Sequence, residues 1–217
     1  MQTALVFDLD GTVLNTLDDI GSACNAALNA FGLPEHPLKA YEQMVGNGFY
    51  ILVKRALPED LTMPEERFLQ LLATAKDAYS QNLCVHTQPY PGIPEALAHL
   101  SQKNVSLCVL SNKPEPMTQA LIAHYFPSIP FARVYGGKDN VPLKPDPTRL
   151  LDMLAEIGCD PQKSLFIGDS SVDMMTAHAA HMTAIGVAWG FRGAKELLKH
   201  GASRLLNCAY ELNDIVD

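Results

Sequence analysis

The stretch ALVFDLDGTVLNT, residues 4 to 16, puts two acids, Asp8 and Asp10, at the end of an apolar run near the start of the chain. An apolar run without polar alternation reads as a strand buried on both faces. Carboxylates at the end of such a strand are costly unless something uses them, and in open α/β sheets the crevice beyond the strand ends is where ligands bind. The competing reading is that Asp10-Gly11 is only a turn and the acids are solvated. The rest of the chain decides between the two.

Further β-rich apolar runs follow at VSLCVL (105 to 110), FARVY (131 to 135), SLFI (164 to 167) and TAIGVA (183 to 188), and with TALVF (3 to 7) they make five candidate strands. Between them lie segments of helical spacing, such as Leu150, Leu151, Leu154 and Ile157, or Val172, Met175, Ala179 and Met182. This alternation predicts an α/β fold, a doubly wound parallel sheet with helices on both faces. It is interrupted once. From about Leu17 to Cys84 only helical patterns occur: Leu17, Ile20, Cys24, Ala27, Leu28 and Phe31, then FYILVKRAL, then PEERFLQLLATAKDAYSQ opened by Pro64. The proline-rich HTQPYPGIPEAL (86 to 97) returns the chain to the sheet. The expected organisation is a core of residues 1–15 and 86–217 and an inserted helical domain of residues 16–85, hinged at both ends.

Composition narrows the function. The 217 residues, 47% of them hydrophobic, suffice for one large domain or a domain with an insert. A net charge of −8 without any Lys or Arg run argues against nucleic acid or an anionic membrane as the partner. No stretch approaches the roughly 18 continuous apolar residues of a membrane helix. The opening MQTALVFDLD lacks the basic flank and cleavage site of a signal peptide. Cys24, Cys84, Cys108, Cys159 and Cys208 are odd in number and never spaced as CxxC, so a reducing cytoplasm is expected, without disulfides or a zinc site. His178 and His181 make at most half a metal site, and a packing role suits them better. GNGF (46 to 49) lacks the GxGxxG spacing, and no P-loop motif is present.

Other predicted strand ends carry chemistry too. Ser111, Asn112 and Lys113 follow VSLCVL; GDSSVD, with Asp169 and Asp173, follows SLFI; and Lys144 sits in PLKPDP. Singly, each has a plain alternative: Ser111 or Asp169 as a helix cap, Asp173 as a first-turn acid, Lys144 as a surface charge. Together they converge on one edge of a parallel sheet. Several carboxylates packed there would repel one another unless a cation held them, and an oxygen site of this kind suits Mg²⁺. The lysine and the hydroxyl suit an anion, and a phosphoryl group fits between metal and lysine.

With DLDGT, LSN, the Lys of LKPDP, and GDSSVD in this order, the chain resembles the haloacid dehalogenase-like phosphatases, a Rossmann-like core with an inserted cap. Within them it is most similar to the phosphoglycolate phosphatase branch, through PEHPLKAYEQMVGNGFYILVKRAL, PYPGIPEALAHL, SNKPEPMTQAL, LKPDPTRLLDMLAEIG, VAWGFRG and KELLKHGASRLL. The resemblance implies that Asp8 is the nucleophile, that Asp10 is the general acid and base, and that Ser111 and Lys144 hold the phosphoryl oxygens. Backbone N–H groups around Gly11, Thr12 and Asn112 would help to cradle them. Mg²⁺ would take Asp8, the backbone carbonyl of Asp10, and Asp169, with Asp173 joining directly or through water. The insert would be a mobile cap over the site. In it, GNG (46 to 48) with Asn47 offers a close backbone approach, and Lys54 or Arg55, the latter preferred, could answer a second anionic group. Many relatives have Asp-Ser where this chain has Asn15-Thr16.

The expected activity is therefore Mg²⁺-dependent hydrolysis of a small phosphate monoester, 2-phosphoglycolate first among candidates, by a monomer or homodimer. The alternatives are a pyrophosphatase, a sugar or nucleotide phosphatase, a phosphomutase similar to beta-phosphoglucomutase, or an inactive binding or scaffold protein on the same fold.

Overall fold

The computed structural model describes residues 3–216. Its strands are β1 (Thr3–Phe7), β2 (Leu14–Asn15), β3 (Gln88–Pro89), β4 (Val105–Pro114), β5 (Arg133–Gly137), β6 (Leu165–Gly168), β7 (Thr183–Val187) and β8 (Arg204–Leu206). The α-helices are α1 (Leu17–Ala30), α2 (Phe49–Arg55), α3 (Glu65–Gln81), α4 (Ile93–Leu100), α5 (Glu115–Tyr125), α6 (Thr148–Glu156), α7 (Ser171–Ala179) and α8 (Gly193–Lys199).

Six strands form a parallel sheet in the order β5-β4-β1-β6-β7-β8. Successive residues of a strand point to opposite faces, and here both faces are covered. Leu5, Phe7, Leu107, Val109, Ile167 and Ile185 pack with residues of α4 and α5. Ala4, Val6, Cys108, Leu110, Phe166 and Ala184 pack on the other side with residues of α6, α7 and α8. That double burial is why these strands read as unbroken apolar runs.

The register sets the site. Phe7 lies opposite Val109 of β4 and Ile167 of β6. The chain therefore leaves β1 at Asp8 on the same level at which its neighbours approach Ser111 and Asp169. β1 is also where strand order switches, with β4 and β5 on one side and β6 to β8 on the other, and such a point opens a crevice at the strand ends.

Helices α1 to α3 lie between β2 and β3 and share their own apolar cluster, which includes Ile20, Cys24, Leu28, Tyr41, Leu71 and Tyr79. Leu14 and Asn15 pair with Pro89 and Gln88, tying the outgoing to the returning chain. Asp19, 3% exposed, reinforces the tie. Its carboxylate accepts hydrogen bonds from the backbone N–H groups of Val85, His86 and Thr87 and from the Thr87 hydroxyl at 2.7 Å.

Several expectations shift. β4 continues past Leu110 to Pro114, and β5 begins two residues later than expected and runs on to Gly137. Gly136 permits that extension, since a Cβ there would lie 2.6 Å from the Lys113 carbonyl oxygen. β6 starts and ends one residue later, and β7 stops one residue earlier, than the runs suggest. β2, β3 and β8 were not anticipated, being two or three residues long and too short for any periodicity.

Candidate active site

After β1 the chain turns tightly. The N–H groups of Thr12, Val13 and Leu14 all donate to the Leu9 carbonyl, and the Gly11 N–H donates to Leu14 O at 2.9 Å. Gly11 has φ +86°, and a Cβ on it would sit 2.3 Å from Asp169 Oδ2, so the position requires glycine. One expectation is corrected here. The N–H groups of Gly11 and Thr12, expected to cradle an anion, are taken up in closing the turn, on the Leu14 and Leu9 carbonyls. The Trp189 indole N–H donates to the Thr12 carbonyl and braces the same turn.

Lys144 is the electrostatic hub. Its ammonium donates to Asp8 Oδ1 and to Asp173 Oδ1, each at 2.7 Å, and the side chain is 4% exposed. Burial alone would lower this ammonium, but Asp173 and Asp8 outweigh it and hold it above its ordinary value. The acids respond in the opposite sense to burial. Asp8 is pushed up to about 7, chiefly by desolvation, with Lys144 opposing and Asp173 and Asp10 adding repulsion. Asp169 is likewise held well above the carboxylate range by burial and by Asp173 and Asp8.

Side-chain oxygens of Asp8, Asp169 and Asp173 lie within 4.8 Å of one another, a set that could hold a metal ion. Hard carboxylate oxygens whose charges are mutually unfavourable fit a divalent cation. Glycines make room for them: a Cβ at Gly190 would lie 2.2 Å from Asp169 Cβ, and one at Gly168 would lie 2.4 Å from Asp173 Cβ. The three acids are not equivalent. Asp169 Oδ2 accepts the Phe191 N–H at 2.7 Å. Asp173 is engaged through both oxygens, Oδ1 by Lys144 and Oδ2 by the N–H and hydroxyl of Ser170, which caps α7.

Asp10 is held apart from this cluster. The Thr16 hydroxyl donates to Asp10 Oδ1 at 2.6 Å, and Lys113 Nζ lies 2.9 Å from the same oxygen. Lys113 also donates to the Tyr79 hydroxyl at 2.7 Å, a residue of α3. Ser111 is buried, and its Oγ accepts the Lys113 N–H at 3.2 Å. Asn112 works with its side chain: its amide oxygen accepts the Lys144 N–H, and its amide nitrogen donates to the carbonyls of Lys144 and Gly46.

The helical segment closes over these groups. Asp8, Asp10, Ser111, Asn112, Lys113 and Asp169 line a cavity roofed by Ile20, Val45, Gly46, Gly48, Phe49 and Leu52, with Phe191 and Arg192 at its side. Arg192 reaches across to the Gln43 side chain and to the carbonyls of Gln43 and Val45. Asn47 and Arg55 are not among the lining residues. Arg55 instead donates to the Met44 carbonyl at 2.9 Å. Asn15 also stays off the site, its amide oxygen accepting the Leu17 N–H at 3.3 Å.

With this geometry in hand, comparison with known proteins is direct. The family model for haloacid dehalogenase-like hydrolases matches residues 5–187. The chain belongs to that family. Among curated relatives, a phosphoglycolate phosphatase of Haemophilus influenzae (strain 86-028NP) is 33% identical over 190 residues, covering 85% of each chain. Phosphoglycolate phosphatase 1 of Pseudomonas aeruginosa is 30% identical over 98% of this chain and 81% of its own. A crystal structure of a predicted phosphoglycolate phosphatase from Haemophilus somnus 129pt superposes with a TM-score of 0.93 at 26% identity, covering 100% of this chain and 98% of that one.

Sequence reasoning about this haloacid dehalogenase-like hydrolase gave Lys113 no role and missed Tyr79, Asp19, Phe191 and Arg192. Lys113 had a usable signal, standing next to Ser111 and Asn112 at the same strand end. The others act through contacts between distant segments. His178, noted as half a metal site, contacts the Gly201 carbonyl through Nε2 at 3.0 Å. Among the described residues the acids around Asp8 are the one cluster with metal-binding spacing. Among the described residues no helix is long and apolar enough to cross a membrane.

Proposed function

We propose that this hydrolase is a Mg²⁺-dependent phosphatase of small phosphorylated acids, with 2-phosphoglycolate as substrate. One observation carries the chemistry: Lys144 sits between Asp8 and Asp173 at 2.7 Å from each, with Asp169 beside them and Ser111 at the neighbouring strand end. A buried carboxylate pinned by an ammonium at a strand-end crevice is a nucleophile with an anion site built around it.

In the first half-reaction an Asp8 oxygen bonds to phosphorus as the bond to the leaving oxygen breaks, and Asp10 gives that oxygen a proton. In the second, Asp10 takes a proton from water as the water oxygen displaces Asp8, and phosphate leaves. Ser111 and Lys144 hold the phosphoryl oxygens through both steps. Asp8 and Asp169 would hold Mg²⁺, which supplies charge neutralisation when bound. Asp173 acts from behind, through Lys144.

The helical segment, about residues 16–85, acts as a cap that excludes water and reads the substrate beyond its phosphate. Arg192 lies at the side of the cavity, and it takes over the carboxylate-reading role expected of Arg55. The names of the two curated relatives support 2-phosphoglycolate.

The test is phosphate release by the purified chain with Mg²⁺, across 2-phosphoglycolate, pyrophosphate, sugar phosphates, nucleotides and p-nitrophenyl phosphate. The highest kcat/KM is expected on 2-phosphoglycolate. A clear preference for another ester would replace the substrate, and no release from any would overturn the phosphatase reading.

A further inference from the structure

Lys113 is a buried cation with a specific pair of partners. Its side chain is 2% exposed, and burying an ammonium is costly unless it is paired. One partner is Asp10 Oδ1 in the core and the other is the Tyr79 hydroxyl on α3 of the insert, which is itself fully buried and stacks on Phe49. Burial pulls the ammonium below its ordinary value, with Asp10 acting against it.

Both donors to Asp10, Lys113 and Thr16, meet at Oδ1. Oδ2 accepts no hydrogen bond from the described residues and is left for proton transfer at the cavity. Clamping one carboxylate oxygen while sparing the other fixes the aim of the group without using its reactive atom.

We propose that Lys113 and Tyr79 are positioning residues for Asp10, holding its carboxylate aimed at the leaving oxygen. The Tyr79 hydroxyl holds the ammonium against Oδ1. This proposal rests on the phosphatase reading, in which the proton on Asp10 moves to the leaving oxygen as its bond to phosphorus breaks.

The leaving group separates aim from mere structure. An alkoxide needs that proton in order to depart, whereas p-nitrophenolate leaves without one. The measurement is the first-turnover rate of leaving-group release, by rapid quench, for 2-phosphoglycolate and for p-nitrophenyl phosphate. The variants are Tyr79→Phe, which keeps the ring, and Lys113→Met, which keeps the stem. In each, the rate on the alkyl ester is expected to fall about tenfold or more relative to that on the aryl ester. An unchanged ratio, whether both rates drop together or neither moves, overturns the proposal while the phosphatase reading stands. A wild-type chain that releases a leaving group from neither ester overturns that reading, and the proposal with it.

Discussion

Burial makes Asp8 hold its proton to higher pH in the folded chain than in the unfolded one. Its carboxyl rises from 3.8 to about 7 on folding, through burial first and then through repulsion by Asp173 and Asp10. Between those two values the folded chain binds more protons than the unfolded one, so this group's contribution to stability falls as pH rises through the window and levels off above it. Without divalent cation, the melting temperature is expected to decline from about pH 5 to pH 7 on this account. Mg²⁺ needs the ionised form. Its apparent affinity should be about a hundredfold weaker at pH 5 than at pH 8, which calorimetric titration at the two values checks. Replacing the carboxylate by its amide, Asp8→Asn, should cut release of p-nitrophenol at least roughly a thousandfold while far-UV circular dichroism stays unchanged. Unaltered turnover would remove Asp8 from the chemistry. Gly11→Ala tests the room made for Asp169, since the added methyl would meet that carboxylate at 2.3 Å on a left-handed backbone. Weaker Mg²⁺ binding in the Gly11→Ala chain is the expected result, read by the same titration.

At the scale of elements, the strongest local device is the tie between α1 and the segment returning to β3. Four donors converge on the Asp19 carboxylate, and Asp19→Ala would strand three backbone N–H groups and a hydroxyl. A loss of about 3 kcal/mol in urea unfolding is expected, the cost of charge-assisted bonds broken in a buried place. Legibility divides along the same line between local and distant contacts. β1, β4 and β6 were readable because burial on both faces writes apolar runs into the sequence, and the residue types at their ends, Asp8, Ser111 and Asp169, then stood out. β5 was misjudged because Phe131 and Ala132 are apolar yet precede the strand, while Gly136 and Gly137 belong to it although nothing apolar marks them, Gly137 pairing with Pro114. Asp19 was invisible: an acid in the first turn of a helix is ordinary, and its partners lie 66 to 68 residues away.

At the scale of the whole molecule, the site is completed by contacts between the insert and the sheet that no local pattern encodes. Lys113 and Tyr79 are 34 residues apart, and Arg192 and Gln43 are 149 apart. Arg55 was preferred as the anion reader because arginine suits bidentate carboxylate contacts, yet the folded chain turns it onto Met44 and brings Arg192 to the cavity instead. Arg192→Ala should therefore loosen the roof. Hydrogen exchange at residues 43–48 is expected to quicken and KM for the preferred ester to rise about tenfold, kcat changing less. Exchange as slow as in the parent chain would contradict the bridging role.

The two core side chains that grip this roof, Asn112 and Arg192, do so largely through the peptide oxygens of Gln43, Val45 and Gly46. Main-chain oxygens are present whatever amino acid occupies those positions. On the proposed function, the roof can thus exchange the chemistry of its underside while its fastening persists, and new substrate preferences become reachable by drift or by engineering without disturbing the residues beneath.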